Sequence, residues 1–345
     1  MMEATTFNNA IQGTLEDVMK NDPAVMLLGL GITDPKGFFN TTTDLINKFG
    51  PERVLECPTS ENAYLGHALG LSLGGYRPVV HFQRMDFMLY AFDQLINNAA
   101  KWKSMFNYSG PIPMVIRSLI GMGWGQGAQH SQNFSSLFTQ VPGLKVVAPT
   151  CPQSASVILK KSLYDNDPTV FVEHRWLQSL TQKTTAFENS RFCDGKALIR
   201  KKGNLLTVIT WSYSTAEALR FSELYPDFDI EIIDLLYLSP IDFDTILKSA
   251  DKTNKILFWE PCTSKAGLSL EIITHLLKAK QGYEFYHLSH QFAYPASSPL
   301  LNLEYYNSLE KILETFNQIL KINLPVSSSA RWPVDKDLAD WSPWG

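Results

Sequence analysis

The sequence predicts an α/β protein, a doubly wound parallel-sheet domain followed by a smaller α/β domain. Three observations predict it. Short apolar runs alternate with amphipathic stretches along most of the chain, as strands joined by helical crossovers do. A polar, aperiodic stretch over residues 178–196 interrupts that alternation once. The 345 residues are more than one ordinary core organises, and 45% hydrophobic against 19% charged side chains is the balance of a globular protein.

Each element follows in order. Apolar positions at Phe7, Ala10, Ile11, Leu15 and Val18 predict a helix, and AVMLLGLGI after Pro23 predicts a buried strand. TTTDLINKFG reads as a short helix, RVLEC as a strand, SENAYLGHALGLSLGG as a helix ending in glycines, and RPVVHF as a strand. DFMLYAFDQLINNAAKWKSMF predicts one long amphipathic helix, followed by the strand PMVIRSLI and the loop GMGWGQGAQHSQ. LKVVAPT, CPQSASVILKKSLYDN and TVFVEH add a strand, a helix begun by Pro152, and a strand. The second series comprises NLLTVITWS, a helix over 215–224, IEIIDL, a helix near 243–249, KILFWEP, a helix over 268–278, EFYHLSH and a last helix near 303–320. The expected division is a first domain over 1–185, a linker over 186–200, a second domain over 201–323 and an aromatic tail over 324–345.

Charge and cysteine usage exclude several functions. The 34 acidic and 30 basic side chains are spread evenly, with a net charge of -4, so there is no basic face for nucleic acid or an anionic membrane. Cys57, Cys151, Cys193 and Cys262 are far apart and form no CxxC, which indicates neither a zinc knuckle nor a disulfide framework and suits a reducing cytoplasm. The N-terminus has no basic region leading into an apolar core, and no run of about 18 apolar residues could span a bilayer.

The common motifs GxGxxG after the first strand, GxxxxGK[ST] and HExxH do not occur, and no GxSxG elbow is visible, the one GxSxG match, GLSLG at 70–74, lying inside a predicted helix rather than at a strand-to-helix turn. Glu61 opens a small, apolar helix behind Ser60. On its own this is ordinary helix chemistry: a serine caps the free amides and a carboxylate sits in the first turn, where the dipole favours it. Phe87 reads equally as one apolar position on an amphipathic helix, and His130 as a loop histidine. Yet all three follow predicted parallel strands, whose carboxyl ends share one edge where open α/β sheets bind ligands.

The order of SE before the small-residue helix, HFQRMDFMLYAFDQLINNAAK, GAQHSQ and VPGLKVVAPTCPQSA, then IEIIDLLYLSPID and WEPCTSKAGLSLEI, resembles the beta subunit of the decarboxylating component of 2-oxo-acid dehydrogenases. That family includes the pyruvate and branched-chain enzymes and is related to transketolase; the resemblance covers residues 4–322. It implies a transketolase-like pyrimidine-binding domain followed by a transketolase C-terminal-like domain. It also implies thiamine diphosphate as cofactor and a reaction that decarboxylates a 2-oxo acid and passes the cofactor-bound acyl or enamine unit to an acceptor. A lipoyl group as acceptor gives an oxidoreductase component, whereas an aldehyde gives a carbon–carbon ligase of transketolase or acyloin type. A non-catalytic subunit that retains only the fold is the rival from another class.

The resemblance assigns residues too. Glu61 matches the glutamate that hydrogen-bonds the aminopyrimidine and promotes its proton-abstracting tautomer, and Phe87 matches the aromatic residue that stacks on that ring. Gln83 and Tyr90 fall on the same cofactor-facing segment. His130 matches the histidine near the reactive carbon, a hydrogen-bond or proton donor to the developing oxyanion. Met114, Ser162, Asp165 and Asp167 match the oxygens of a monovalent cation site for K⁺, although the two aspartates fit an ordinary polar turn as well. The GDG motif that binds Mg²⁺ and the diphosphate is not in this chain, whose one DG lies in FCDGKAL. An alpha subunit would carry that half, giving an α₂β₂ heterotetramer, with a lipoyl acyltransferase as a further partner. Two departures add expectations. LLGLG replaces an acidic pair after the first strand, with Asp34 the candidate substitute. His81 and Arg84 beside the cofactor-facing segment predict a pocket for a larger or more anionic substrate.

Overall fold

The computed structural model describes residues 4–121, 125–183, 192–263, 265 and 267–326. The expected tail therefore lies outside the described residues from 327 onward. The strands in the first half are β1 (Ala4–Thr6), β2 (Val25–Gly29), β3 (Val54–Glu56), β4 (Arg77–Phe82), β5 (Val115–Ile120), β6 (Lys145–Val147), β7 (Thr169–His174) and β8 (Thr181–Lys183). Those in the second half are β9 (Leu198–Lys201), β10 (Leu206–Thr210), β11 (Ile230–Asp234), β12 (Tyr237–Ser239), β13 (Lys255–Thr263) and β14 (Glu284–His290).

The first sheet has the order β12-β6-β7-β5-β4-β2-β3. All its pairings are parallel except that of β12, which the second half lends antiparallel to β6. The second sheet runs β14-β13-β10-β11-β9, parallel apart from β9, and β1 pairs with β8 as a separate ribbon. β9 begins inside the stretch expected to be linker.

Burial on both faces explains why the strands read as continuous apolar runs. Successive residues alternate between two cores: Leu27, Val79 and Val115 pack with Phe7, Ile11, Leu15 and Ala155 on one side. Leu28, Val80 and Ile116 pack with Leu65, Leu69 and Leu95 on the other. Helix Phe7–Asn21 starts where the Thr6 hydroxyl accepts from Asn9 N–H and touches helix Pro152–Leu163 through Thr14 and Ser156, 2.7 Å apart. Helix Pro152–Leu163 begins with a reciprocal cap between Cys151 and Ser154, with Pro152 in its first turn.

Two long helices expected from periodicity are broken. The segment after β4 divides into helix Met85–Met88, a 3₁₀ turn Leu89–Ala91, a π-helix Asp93–Ala99 and helix Trp102–Phe106. Asp93 and two asparagines account for the widened turns: Asn97 Nδ2 bonds Asp93 Oδ1 at 3.0 Å and Asn98 Nδ2 bonds the Asp93 carbonyl at 3.3 Å. Such short polar side chains compete with the regular helical ladder. The last helix divides into Pro299–Tyr305 and Leu309–Leu320, the second restarted by Ser308, whose hydroxyl accepts from Lys311 N–H. Cys57, Cys151 and Cys262 are buried outside any disulfide, and no helix among the described residues is long and apolar enough to cross a membrane.

Candidate active site

The parallel strands β2, β3, β4, β5 and β7 end along one edge of the first sheet, and the site residues stand there because each follows such an end. After β3 the chain turns into helix Glu61–Leu73. Ser60 occupies the cap position, but its side chain makes no capping bond, contrary to expectation. Glu61 is half-buried, and among the described residues its carboxylate makes no hydrogen bond or ion pair. Small residues set the depth of this helix: a Cβ on Gly66 would lie 3.2 Å from Gln94 Oε1, so the absent side chain admits the π-helix. Tyr64, one turn below Glu61, packs on Phe82 with ring centroids 5.2 Å apart. Burial first, and the Glu61 charge second, push its phenol well above the usual range.

After β4 come Gln83, Arg84, Asp86 and Phe87. Gln83 Nε2 donates to the Leu30 carbonyl at 3.2 Å, tying the ends of β4 and β2 together. Gly31, at φ +75°, has no room for a side chain, because a Cβ would fall 2.7 Å from that amide. The Phe87 ring meets the His130 ring edge-on, centroids 5.4 Å apart at 90°. Tyr90, by contrast, stands 72% exposed on the 3₁₀ turn.

The loop after β5 carries His130. It leaves the strand at Gly121, φ +83°, where a Cβ would lie 2.5 Å from His174 Nε2. His130 N–H donates to the Gly127 carbonyl at 3.1 Å and the Ser131 hydroxyl to the Gln126 carbonyl at 3.0 Å. Gln132 Nε2 donates to Asp86 Oδ1 at 2.7 Å. Burial pushes the Asp86 carboxyl up, while the Gln132 side chain, the backbone N–H groups of Asp86 and Gln132, and His130 oppose the rise.

Several expectations are corrected. His81 is buried inside the sheet, its Nδ1 3.1 Å from Arg117 Nη1, and Arg117 is paired with Glu173 at 2.6 Å. Burial, then the Arg117 charge, hold its imidazole neutral, well below the ordinary histidine range. Arg84 is 1% exposed and braces the glycine loop through the Gly121 carbonyl at 2.8 Å and the Gln126 side chain. Neither residue lines an open pocket, so the expectation of a more anionic substrate loses its basis. The loop after β2 is held by Glu56 as well: its carboxylate accepts from Gly31 N–H at 2.5 Å, Thr33 N–H at 3.1 Å and the Thr33 hydroxyl at 2.8 Å. Exposed Asp34 was the expected carboxylate there; Glu56, the last residue of β3, was legible only as a strand end.

Met114, Ser162, Asp165 and Asp167 do gather around one turn. The Met114 carbonyl accepts from Thr169 N–H at 2.9 Å, the Ser162 carbonyl from Asp165 N–H at 3.4 Å, and Asp165 Oδ1 from Asp167 N–H at 3.0 Å. Both carboxylates, however, have lysine partners: Asp165 pairs with Lys145, and Asp167 with Lys103 at 2.7 Å. The chain's own ammonium groups thus neutralise the side-chain half of the expected cation site. Among the described residues no group of three or more His, Cys, Asp or Glu side chains could hold a metal ion.

Comparison with known proteins agrees with this layout. Residues 3–179 match the transketolase pyrimidine binding domain and residues 195–305 the transketolase C-terminal domain. The pyruvate dehydrogenase E1 component subunit beta of Porphyra purpurea is 35% identical over 271 residues, covering 78% of this chain and 81% of that one. The acetoin:2,6-dichlorophenolindophenol oxidoreductase subunit beta of Cupriavidus necator is 34% identical over 275 residues, covering 76% and 81%. A solved split-gene transketolase, an inactive beta4 tetramer, shares the fold with a TM-score of 0.74 at 19% identity, over 92% of this chain and 98% of that one. The strand-end residues, the two matched domains and these relatives place the chain in one family: it belongs to the transketolase-like proteins that include the pyruvate dehydrogenase E1 beta subunits.

Proposed function

We propose that the chain is the beta subunit of a thiamine-diphosphate-dependent oxidoreductase component that decarboxylates a 2-oxo acid and passes the acyl unit to a lipoyl acceptor. The observation that carries this reading is the half-buried Glu61 carboxylate, without a partner among the described residues, on the sheet edge where Phe87 meets His130. A carboxylate in partial burial costs solvation unless something donates to it, and an aminopyrimidine offers that donor together with a flat face for Phe87. The residues present therefore fit the cofactor's pyrimidine half.

When bound, thiamine diphosphate supplies the carbon nucleophile and the electron sink. Glu61 holds the aminopyrimidine by a charge-assisted hydrogen bond, strengthened where water is excluded. Phe87 would stack on the ring, and Gln83 would shape the wall beside it by holding Leu30. His130 donates a hydrogen bond or proton to the oxygen or sulfur that gains charge when the acceptor is attacked. Mg²⁺ and the diphosphate fall to an alpha subunit in an α₂β₂ assembly, with Tyr90 on the exposed rim available to that partner.

The test is Glu61→Gln in the assembled enzyme. Glutamine keeps the size and loses the charge, so proton exchange at the thiazolium carbon slows by about 10²–10⁴-fold, the usual worth of a positioned proton-transfer group. Exchange at the wild-type rate would return Glu61 to a helix-start role and favour a subunit that keeps only the fold.

A further inference from the structure

The loop that carries His130 is braced on its N-terminal side by Arg84, at the Gly121 carbonyl and the Gln126 side chain. His130 donates its backbone N–H within the loop, to Gly127, and among the described residues its ring makes no hydrogen bond. Gly125, at φ +68°, and Gly127, against which Ser297 packs closely, precede it. Two further anchors lie on the other side of the imidazole. Asn133 Nδ2 donates to the Pro261 carbonyl at 2.8 Å, which ties the loop to β13 of the second domain. Gln132 Nε2 donates to Asp86 Oδ1 at 2.7 Å, across 46 residues of sequence.

The Asp86 bond sits next to the chemistry. Asp86 immediately precedes Phe87, and Gln132 follows His130 by two residues. The segments 86–87 and 130–132 are thus joined at two points, the hydrogen bond and the perpendicular contact of Phe87 with His130 at 5.4 Å. Asp86 is 8% exposed, and its Oδ2 is buried with no hydrogen-bond partner among the described residues. A buried carboxylate with an idle oxygen weakens the fold relative to an apolar residue of similar volume. Its benefit comes from the contacts it does make, to the Gln132 side chain and to the backbone N–H groups of Asp86 and Gln132.

We propose that Asp86 is a positioning residue for His130, acting through the Gln132 side chain to hold the imidazole against the edge of Phe87. The proposal rests on the reading of His130 as the donor on the acceptor side, and goes beyond it in naming what places that donor. A shift of about 1 Å in a reacting group can cost 10²-fold in rate, so a clip of this kind governs transfer without touching the substrate.

Its test begins with the full chain alone, without cofactor. The Phe87 ring current displaces the imidazole proton resonances of His130, and Phe87→Leu identifies that displacement by nuclear magnetic resonance. Asp86→Leu is expected to fold, since it removes an idle buried oxygen, and to return the His130 resonances toward the Phe87→Leu positions. Asp86→Asn keeps an acceptor oxygen for Gln132 and leaves them near wild type. Gln132→Leu moves them as Asp86→Leu does, and the double variant Asp86→Leu/Gln132→Leu moves them no further.

In the assembled enzyme Asp86→Leu lowers transfer to the acceptor by about 10–10²-fold with KM for the 2-oxo acid unchanged, and Asp86→Asn restores most of the rate. Unchanged His130 resonances in folded Asp86→Leu, or additive effects of the two leucine substitutions, overturn the proposal. Displaced resonances with undiminished transfer support the clip and defeat the acceptor-side reading of His130, so the two failures are distinguishable.

Discussion

The carboxyl edges of the two sheets use the same kind of residue in opposite ways. On the first sheet Glu61 is half-buried and unpartnered among the described residues, beside Phe87 and His130. On the second, Asp234 ends β11 and Glu260 lies within β13, and both are buried with their oxygens engaged. Asp234 Oδ2 accepts from Arg200 Nη2 and from the Thr150 hydroxyl, each at 2.7 Å, and Oδ1 accepts from the Thr215 hydroxyl at 3.3 Å. Glu260 Oε1 accepts from Leu268 N–H at 2.8 Å and Trp211 Nε1 at 3.3 Å. Parallel topology supplies both edges with carboxylates near strand ends. A carboxylate whose lone pairs the fold consumes is a strut, and one whose lone pairs stay open is, under the proposed function, a handle for a ligand. Asp234 is also a seam, because Thr150 belongs to the first domain and β12, a few residues after Asp234, completes the first sheet.

Removing the strut should produce the largest effect. Asp234→Ala leaves Arg200 without its buried counter-charge, and losing one partner of such a pair typically costs about 3–5 kcal/mol. Chemical denaturation measures it, while Glu61→Gln, on a half-exposed handle, changes stability by no more than about 0.5 kcal/mol. Equal losses at the two positions would erase the distinction.

His130 sharpens the contrast within the first edge. His130→Ala should leave cofactor binding intact and lower single-turnover CO₂ release only modestly. Transfer to the acceptor should fall by about 10²-fold or more, because a transition-state donor is lost. Rapid-quench measurement of both steps decides it, and equal losses would move His130 to a structural role.

A graded effect comes from Glu217 on helix Tyr213–Leu224 of the second domain. Burial pushes its carboxyl up to about 8, against hydrogen bonds from Ser214 and Trp259. The folded state then keeps a proton that the unfolded chain loses above its ordinary value of 4.5. Stability from this group is complete below pH 4.5 and falls as pH rises toward about 8. The slope is at most about 1.4 kcal/mol per pH unit. Glu217→Gln should flatten that part of the stability profile, which denaturation at a series of pH values records; an unchanged slope would assign it to other groups.

The placement of the candidate residues at the sheet edge was legible because local signals set it. Glu61 starts a helix, Phe87 and His130 follow strands, and parallel order brings those strand ends together whatever the side chains between them. The roles of His81 and Arg84 were misread for the complementary reason. Proximity in sequence to a cofactor-facing segment says nothing about the partner each finds, and those partners, Arg117 and Gly121, lie 36 and 37 residues away. The lysines at Asp165 and Asp167 were hidden in the same way, Lys145 and Lys103 arriving from separate elements.

By itself, then, the sequence determined the alternation of strands and helices, the two-domain order and which residues stand at the first sheet's carboxyl edge. Backbone periodicity and strand direction are written in neighbouring residues. Only the tertiary structure decided that the long helix after β4 opens into a π-helix, that β12 crosses to the first sheet, that Glu56 holds the β2 loop and that Asp86 clasps Gln132. Each of these depends on a donor meeting an acceptor, or one strand meeting another, in space, and such meetings leave no periodic trace in the chain.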